Sequence, residues 1–124
     1  MKKFINSFEN IFSQPSLRKA WIGYCKGKRQ RQSVAEYEYR LEENLVELYR
    51  RLKNNTYESS PYRKFIVFDP KKRVISAPDM ADHIVHRALH NALYPFYDRL
   101  FMACSFSCRE GKGLGKALEL TRSY

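Results

Sequence analysis

One long stretch constrains the fold of this chain more than any other. It runs from about Ser33 to Lys53, and its apolar residues recur at steps of three and four, the spacing of an amphipathic helix. The apolar positions are Val34, Tyr37, Leu41, Leu45, Leu48 and Leu52. Acidic residues come early and basic residues late, which suits the helix dipole. The stripe is short for a coiled coil, so it predicts one helix docked on its own domain.

Two further helices are predicted before this one. Residues 3–13 carry Phe and Ile at helical spacing, and a break at residues 13–16 follows. A second helix from Ser16 to about Lys26 would place Leu17, Trp21 and Tyr24 on one side, with Gly27 marking its end.

A β-hairpin is predicted in the middle of the chain. Its strands would be Phe65–Phe68 and Arg73–Ser76, within a hairpin spanning 65–76. Asp69 and Pro70 fit the first two positions of a type I turn over 69–72, which would pair Phe68 with Arg73. Both faces would be partly apolar, so we expect another part of the molecule to cover at least one.

The C-terminal half is predicted to be helical again. A helix over 79–94 would have Asp79 as its N-cap and Asp82 at N3, an arrangement close to a capping box, and Pro95 would stop or kink it. A loop over 104–113 would precede a last helix over 114–124. The predicted fold class is therefore α+β and mostly helical, with a small hairpin. The chain would divide into a helical region at 1–60 and a second region at 61–124.

Charge and cysteine content restrict the partners and the compartment. Lys and Arg outnumber Asp and Glu by 23 to 13, a formal charge of +10. Such an excess favours a polyanionic partner, most often nucleic acid and sometimes an anionic membrane surface. Three cysteines, with no signal-peptide pattern, favour free thiols in the cytoplasm. No apolar run is long enough to span a bilayer.

Two basic segments are candidate phosphate sites. Lys71, Lys72 and Arg73 lie at the predicted hairpin tip, where they could hold a triphosphate or a nucleic-acid backbone, although solvated turns often carry such residues. Residues 111–116 read Gly-Lys-Gly-Leu-Gly-Lys, which lacks the spacing of a P-loop. A helix beginning there, with Lys116 in its first turn, could still bind a backbone phosphate.

A metal site is a weaker alternative. His83, His86 and His90 share one helical face, and Cys104 and Cys108 follow, so a zinc domain is conceivable. Histidines flanking a core stripe explain the same spacing. The aspartates fall at turn, cap or helix positions and offer no convincing set for two-metal catalysis. They are Asp69, Asp79, Asp82 and Asp98.

The segment "DPKKRVISAPDMADHIVHRALHNALYPFYDRLFMACSFSCREGKG" resembles the fingers region of bacterial retroelement reverse transcriptases. It is most similar to the diversity-generating retroelement, retron and group II intron types, and the helix over 36–57 resembles their N-terminal region. One position departs from the family pattern, because His83 stands where an Arg usually follows the Asp. The matching positions are Lys71, Arg73, Ile75, Pro78, Asp82, Ile84, Val85, Leu93, Pro95, Ser105, Phe106, Arg109, Gly111, Lys112 and Gly113.

The resemblance implies an N-terminal fingers fragment of an RNA-directed DNA polymerase, a nucleotidyltransferase. By position, Arg73, then Lys71 and Lys72, would bind the triphosphate of the incoming nucleotide. Arg109 and Lys112 would position the loop or contact the template. RNA template, DNA primer or product, and dNTP are the implied partners.

The same resemblance implies that catalytic residues lie outside this chain. The palm and thumb, with the ligands of Mg²⁺, would follow Tyr124, so the fragment alone would be inactive and would bind no cofactor. The alternative function is a stand-alone basic nucleic-acid-binding module without catalysis.

Overall fold

The computed structural model describes residues 3–124 and has an α+β fold in which about half of the chain is helical. One antiparallel hairpin, β1–β2, provides the strands. In chain order the elements are α1 (Phe8–Ile11), α2 (Gln14–Cys25), α3 (Gln32–Tyr39), α4 (Leu41–Lys53), β1 (Arg63–Phe68), β2 (Lys72–Ala77), α5 (Met80–Tyr97) and α6 (Leu114–Arg122). The predicted fold class is thus confirmed at the level of α+β with a small hairpin.

One long helix was predicted over 33–53, whereas the structure has two helices there, α3 and α4. The prediction was wrong at the single position where the helix breaks. Arg40, with φ −119° and ψ 38°, leaves the helical region between α3 and α4. The side-chain amide of Asn44 donates to the carbonyl of Tyr37 at 3.1 Å, which supplies a partner for a carbonyl at the end of α3. The apolar stripe nevertheless reaches the core on both sides of the break.

The N-terminal helix is shorter than predicted. Only α1 forms within residues 3–13, because Ser7 caps it by accepting a hydrogen bond from the backbone N–H of Asn10. Ser13 then caps α2 in the same way, and Pro15 lies in the first turn, where its missing N–H costs nothing. Gly27, with φ +74°, follows the end of α2 as predicted.

The hydrophobic core forms where α2, α4 and α5 supply their apolar faces. Leu17 and Trp21 of α2 are fully buried, and the Trp21 ring lies 5.1 Å from the ring of Tyr37. The buried apolar residues of the core are Ile11, Phe12, Leu17, Ala20, Trp21, Cys25, Val34, Leu45, Leu48, Leu52, Ile84, Val85 and Ala88. All of them belong to the part of the chain that precedes residue 93.

The hairpin forms, but its predicted register was wrong by one residue. The loop consists of residues 69–71, so Phe68 lies opposite Lys72 and Val67 lies opposite Arg73. The Asp69–Pro70 peptide bond is cis. The expected cover is also absent from the described residues, since every residue from Arg63 to Ser76 is exposed.

Helix α5 begins directly after Asp79, as predicted, but it ends later than predicted. It runs two residues past Pro95, to Tyr97. Asp82 does not complete a capping box, because its carboxylate accepts hydrogen bonds from the Tyr57 hydroxyl and from the backbone N–H of Ser60. A buried carboxylate that satisfies two donors stabilises the fold more than a carboxylate that caps a solvent-exposed helix end.

Two compact units can be distinguished. The first extends to Ala92 and contains the core and the hairpin, and the second is Leu93–Tyr124. The second unit contains no buried residue, and α6 begins at Leu114 as predicted. Within residues 3–124, no helix combines the length and apolar character needed to cross a bilayer.

Candidate nucleic-acid interface

The three candidate cations of the hairpin tip do not share one surface. Lys71 lies in the loop, whereas Lys72 and Arg73 are consecutive residues of β2. Because successive side chains of a strand point to opposite faces, Lys72 and Arg73 project in opposite directions. Neither they nor Lys71 form an ion pair with any residue that the structure describes.

The register divides the hairpin into two faces. The arginine face consists of Arg63, Phe65, Val67, Arg73, Ile75 and Ala77. The lysine face consists of Lys64, Ile66, Phe68, Lys72, Val74 and Ser76. On the arginine face, Phe65, Val67 and Ile75 are 42%, 37% and 37% exposed, so Arg73 stands at the outer end of an accessible apolar strip.

A buried carboxylate ties the segment before the hairpin to helix α5. Asp82 is 1% exposed, and Ser60 donates its backbone N–H to the carboxylate at 3.0 Å. The Tyr57 hydroxyl donates to the other carboxylate oxygen, and burial, together with this bond, raises the pKa of Tyr57. Sequence reasoning missed this contact. The signal was available, since Asp82 lies one helical turn before Val85 and therefore on the core side of α5.

A cleft of about 700 Å³ opens beside the root of the hairpin, and we call it the basal cleft. It lies between α3, the start of α4, the hairpin root and the start of α5. Prominent among its lining residues are Arg31, Arg40, Arg63, Tyr37, Phe65 and Asp79. Since Arg63 and Phe65 belong to both, the arginine face leads from the hairpin tip into the basal cleft. The cleft could not be predicted from the sequence, because its walls come from elements that lie far apart in the chain, from Tyr24 of α2 to His83 of α5.

Aromatic rings form a further part of the basal cleft. The Tyr24 ring stacks on His83 with 4.7 Å between ring centroids, and Lys28 lies over the Tyr24 ring at 4.4 Å. Burial lowers the pKa of His83, and the neighbouring His86 acts in the same direction. Burial, with a smaller effect of Asp79, raises the pKa of Tyr37 to about 12. The Tyr37 hydroxyl is therefore neutral and able to donate at physiological pH.

Arg109, predicted to position a loop or contact the template, is engaged within its own loop. Its guanidinium donates to the carboxylate of Asp98 at 2.7 Å and to the carbonyls of Met102 and Ser105, each at 3.0 Å. The hydrogen bond from Arg109 lowers the pKa of Asp98. Only 10% of the Arg109 side chain is exposed, so its donors hold the loop closed.

The two lysines of the glycine-rich segment have different surroundings. Lys112 donates to the carbonyl of Ala103 at 2.6 Å and lies 5.3 Å from the centre of the Phe106 ring. Lys116, in the first turn of α6, is exposed. The structure thus brings Arg109 and Lys112 together around one loop, and Lys116 remains accessible to a ligand.

The side chains that the structure describes do not form a binding site for a catalytic metal ion. No three or more His, Cys, Asp or Glu side chains between residues 3 and 124 converge on a point where a metal could bind. Asp82 and Asp98 are both engaged by protein donors. We therefore derive no catalytic step through Mg²⁺ from this chain.

No protein-family model matches the chain, and no curated protein matches it. What the geometry offers chemically is anion binding, through exposed guanidinium and ammonium groups carried on a paired β-ribbon and around a cleft.

Proposed function

We propose that this chain is the fingers region of an RNA-directed DNA polymerase of the bacterial retroelement type. In this proposal the hairpin binds the triphosphate of an incoming nucleotide, and the metal-dependent chemistry belongs to residues outside this chain. The resemblance of residues 69–113 to that family suggests the class of enzyme, and the geometry of the hairpin supports a phosphate-binding role.

The observation that carries the proposal is the position of Arg73. The residue is exposed, has no ion-pair partner among the described residues, and lies one residue pair from the loop of an antiparallel ladder. A guanidinium can bind phosphate oxygens with two parallel hydrogen bonds, and a paired strand restricts where it points. Lys71, in the adjoining loop, can reach the same anion from the side of the tip.

The faces of the hairpin supply a matched test. We expect Arg73→Gln to weaken binding of a fluorescent dNTP by about tenfold or more, the effect of losing one hydrogen bond between charged groups. Lys71→Gln should weaken it less. Lys72→Gln removes the same charge from the next residue, but on the lysine face, so it should have little effect.

Binding would be measured by fluorescence anisotropy at fixed ionic strength. Equal losses in the Arg73 and Lys72 variants would mean that net charge alone attracts the nucleotide, and the proposed role of the arginine face would be wrong.

A further inference from the structure

The lysine face of the hairpin exposes its apolar side chains more fully than the arginine face does. Ile66, Val74 and Phe68 are 50%, 63% and 74% exposed. Ile66 lies directly opposite Val74, so the two form an apolar pair in the middle of the face, and Phe68 continues it towards the tip. Apolar side chains that adjoin one another and remain open to water are typical of an interaction surface.

Two lysines border this apolar strip at opposite ends. Lys64 lies opposite Ser76 at the root, and Lys72 lies opposite Phe68 beside the loop. The two lysines are therefore four residues apart along the ladder, a distance of about 13 Å. No ion pair or side-chain hydrogen bond joins either lysine to a residue that the structure describes. Both ammonium groups are thus available to the anionic groups of a partner.

The apolar strip narrows the chemistry of that partner. A nucleic-acid backbone offers phosphates to the lysines, and a base could stack on the ring of Phe68. The aliphatic side chains of Ile66 and Val74 would still lack apolar groups to pack against. A partner that covers the whole face must therefore carry apolar groups between acidic ones, and an acidic amphipathic protein segment has this composition.

A helix is the element that suits this surface. The apolar face of a sheet is ordinarily buried against a helix or a second sheet, and a two-stranded hairpin is marginally stable in water without such cover. Along a helix, acidic residues two to three turns apart are separated by about 11–16 Å. This range includes the distance between Lys64 and Lys72 along the ladder.

The described helices of this chain do not match that position. Helix α4 begins with acidic residues, but Leu45, Leu48 and Leu52 of its apolar face are buried in the core. Helix α6 is largely exposed, but it has two cations and a single acid, Glu119. A second copy presents the same lysines, so the lysine faces of two molecules do not complement each other. The matching helix therefore belongs to another protein.

We propose that the lysine face docks an acidic amphipathic helix of a partner protein. The apolar stripe of that helix packs on Ile66, Phe68 and Val74, and its acidic residues pair with Lys64 and Lys72. This inference goes beyond the proposed function, because it uses the face of the hairpin opposite to the arginine face. A partner docked there leaves the proposed nucleotide site open.

The first experiment varies the peptide and uses the unaltered chain. The probe is a labelled synthetic peptide of about 18 residues, long enough to be helical in water, with leucine on one face and glutamate bordering it. One matched peptide has glutamine in place of glutamate, and a second has alanine in place of leucine. We expect each to bind about tenfold more weakly, measured by fluorescence anisotropy. Equal affinity of either matched peptide would overturn the proposal.

Charge variants test whether the peptide lies on the lysine face. Replacing Lys64 and Lys72 with Gln should weaken binding of the glutamate peptide by about tenfold, the combined effect of two exposed ion pairs. Replacing Arg63 and Arg73 with Gln is the matched control, because it removes two charges from the same strands on the arginine face. An equal loss in the control would overturn the assignment, since net charge alone would then explain the binding.

A threonine variant, Ile66→Thr with Val74→Thr, tests the apolar contact. Threonine keeps the β-branched shape that strands favour, so the hairpin should form as before, which circular dichroism checks. We expect the glutamate peptide to bind about tenfold more weakly to this variant. Unchanged affinity would contradict the packing of the helix on the apolar pair.

The threonine variant also separates a protein helix from other anionic partners. Oligouridine and vesicles that contain phosphatidylserine are each titrated with the unaltered chain and with the variant. We expect neither to lose affinity. A loss as large as that of the peptide would overturn the proposal, identifying RNA in the first case and a membrane surface in the second. Binding of dNTP is measured separately, so failure of the peptide experiments leaves the proposed function standing, and the reverse also holds.

Discussion

Arg73 and Arg109 have the same side chain and opposite surroundings. Arg109 uses its donors on a carboxylate and on backbone carbonyls of its own loop, whereas the Arg73 guanidinium has no such partner among the described residues. Both residues lie in the segment that resembles the reverse transcriptases. That resemblance predicted that Arg73 binds a triphosphate and that Arg109 positions a loop or contacts the template. It could not predict which one is engaged internally, since that depends on carbonyls of residues 98–105 that only folding brings around Arg109.

The residue scale also allows a pH prediction, which concerns His83. Burial lowers the pKa of His83 below its ordinary 6.5, His86 and Lys28 lower it further, and the carboxylates of Asp82 and Asp79 oppose the shift. The unfolded chain therefore binds a proton more readily than the folded chain does. Stability should fall as the pH drops through 6.5 towards the folded-state pKa, and it should be regained as the pH rises.

His83→Phe tests this directly, because Phe keeps a ring beside Tyr24 but cannot bind a proton. We expect the loss of thermal stability between neutral and mildly acidic pH to be smaller in this variant. Melting temperatures measured by circular dichroism across that range would show it, and identical pH profiles for the two proteins would contradict the prediction.

At the scale of elements, the hydrophobic pattern predicted which segments form helices and strands, but polar contacts decided their limits. The stripe over 33–53 was correct in its apolar positions, yet α3 and α4 separate at Arg40, where Asn44 bonds the carbonyl of Tyr37. The hairpin was correct in its two strands, yet a three-residue loop in place of four shifted every pair. Period-two alternation cannot fix a register when both faces are partly apolar.

The link between Asp82 and the segment before the hairpin can be tested at this scale. Asp82→Ala leaves the Tyr57 hydroxyl and the Ser60 N–H without their acceptor, so we expect the free energy of unfolding to fall by about 1–3 kcal/mol. Urea unfolding followed by tryptophan fluorescence would measure it, because the single Trp21 lies in the core.

Tyr57→Phe is the matched control for that variant, since it removes one donor and keeps the ring. The loss in Tyr57→Phe should be smaller, and the double variant should cost less than the sum of the two. Full additivity would show that the two residues do not act through one contact.

At the scale of the whole molecule, the chain joins a unit that has a core to one that has none. All buried residues precede residue 93, and the unit Leu93–Tyr124 is held by hydrogen bonds such as those of Arg109. Overall charge and the α+β class could be predicted from the sequence. The basal cleft could not, because its walls depend on the packing of α3, α4, α5 and the hairpin root.

The proposed function makes a prediction for this chain taken as a whole. Because its described aspartates do not converge on a metal position, we expect the 124-residue chain to show no extension of a DNA primer on an RNA template with Mg²⁺ and dNTPs. A gel-based primer-extension assay measures this. Template-dependent extension that requires the metal would contradict the division of roles proposed here.

The exposed hairpin also gives this protein a route to self-association. Each strand of a two-stranded ladder has one edge with unpaired backbone groups, to which the edge of another molecule can add. Arg63, Lys64, Lys72 and Arg73 place like charges along both strands, so two such ribbons repel each other in dilute buffer. Salt screens that repulsion and strengthens apolar contact. High ionic strength, often chosen to keep basic proteins free of nucleic acid, therefore favours self-association through the hairpin edges.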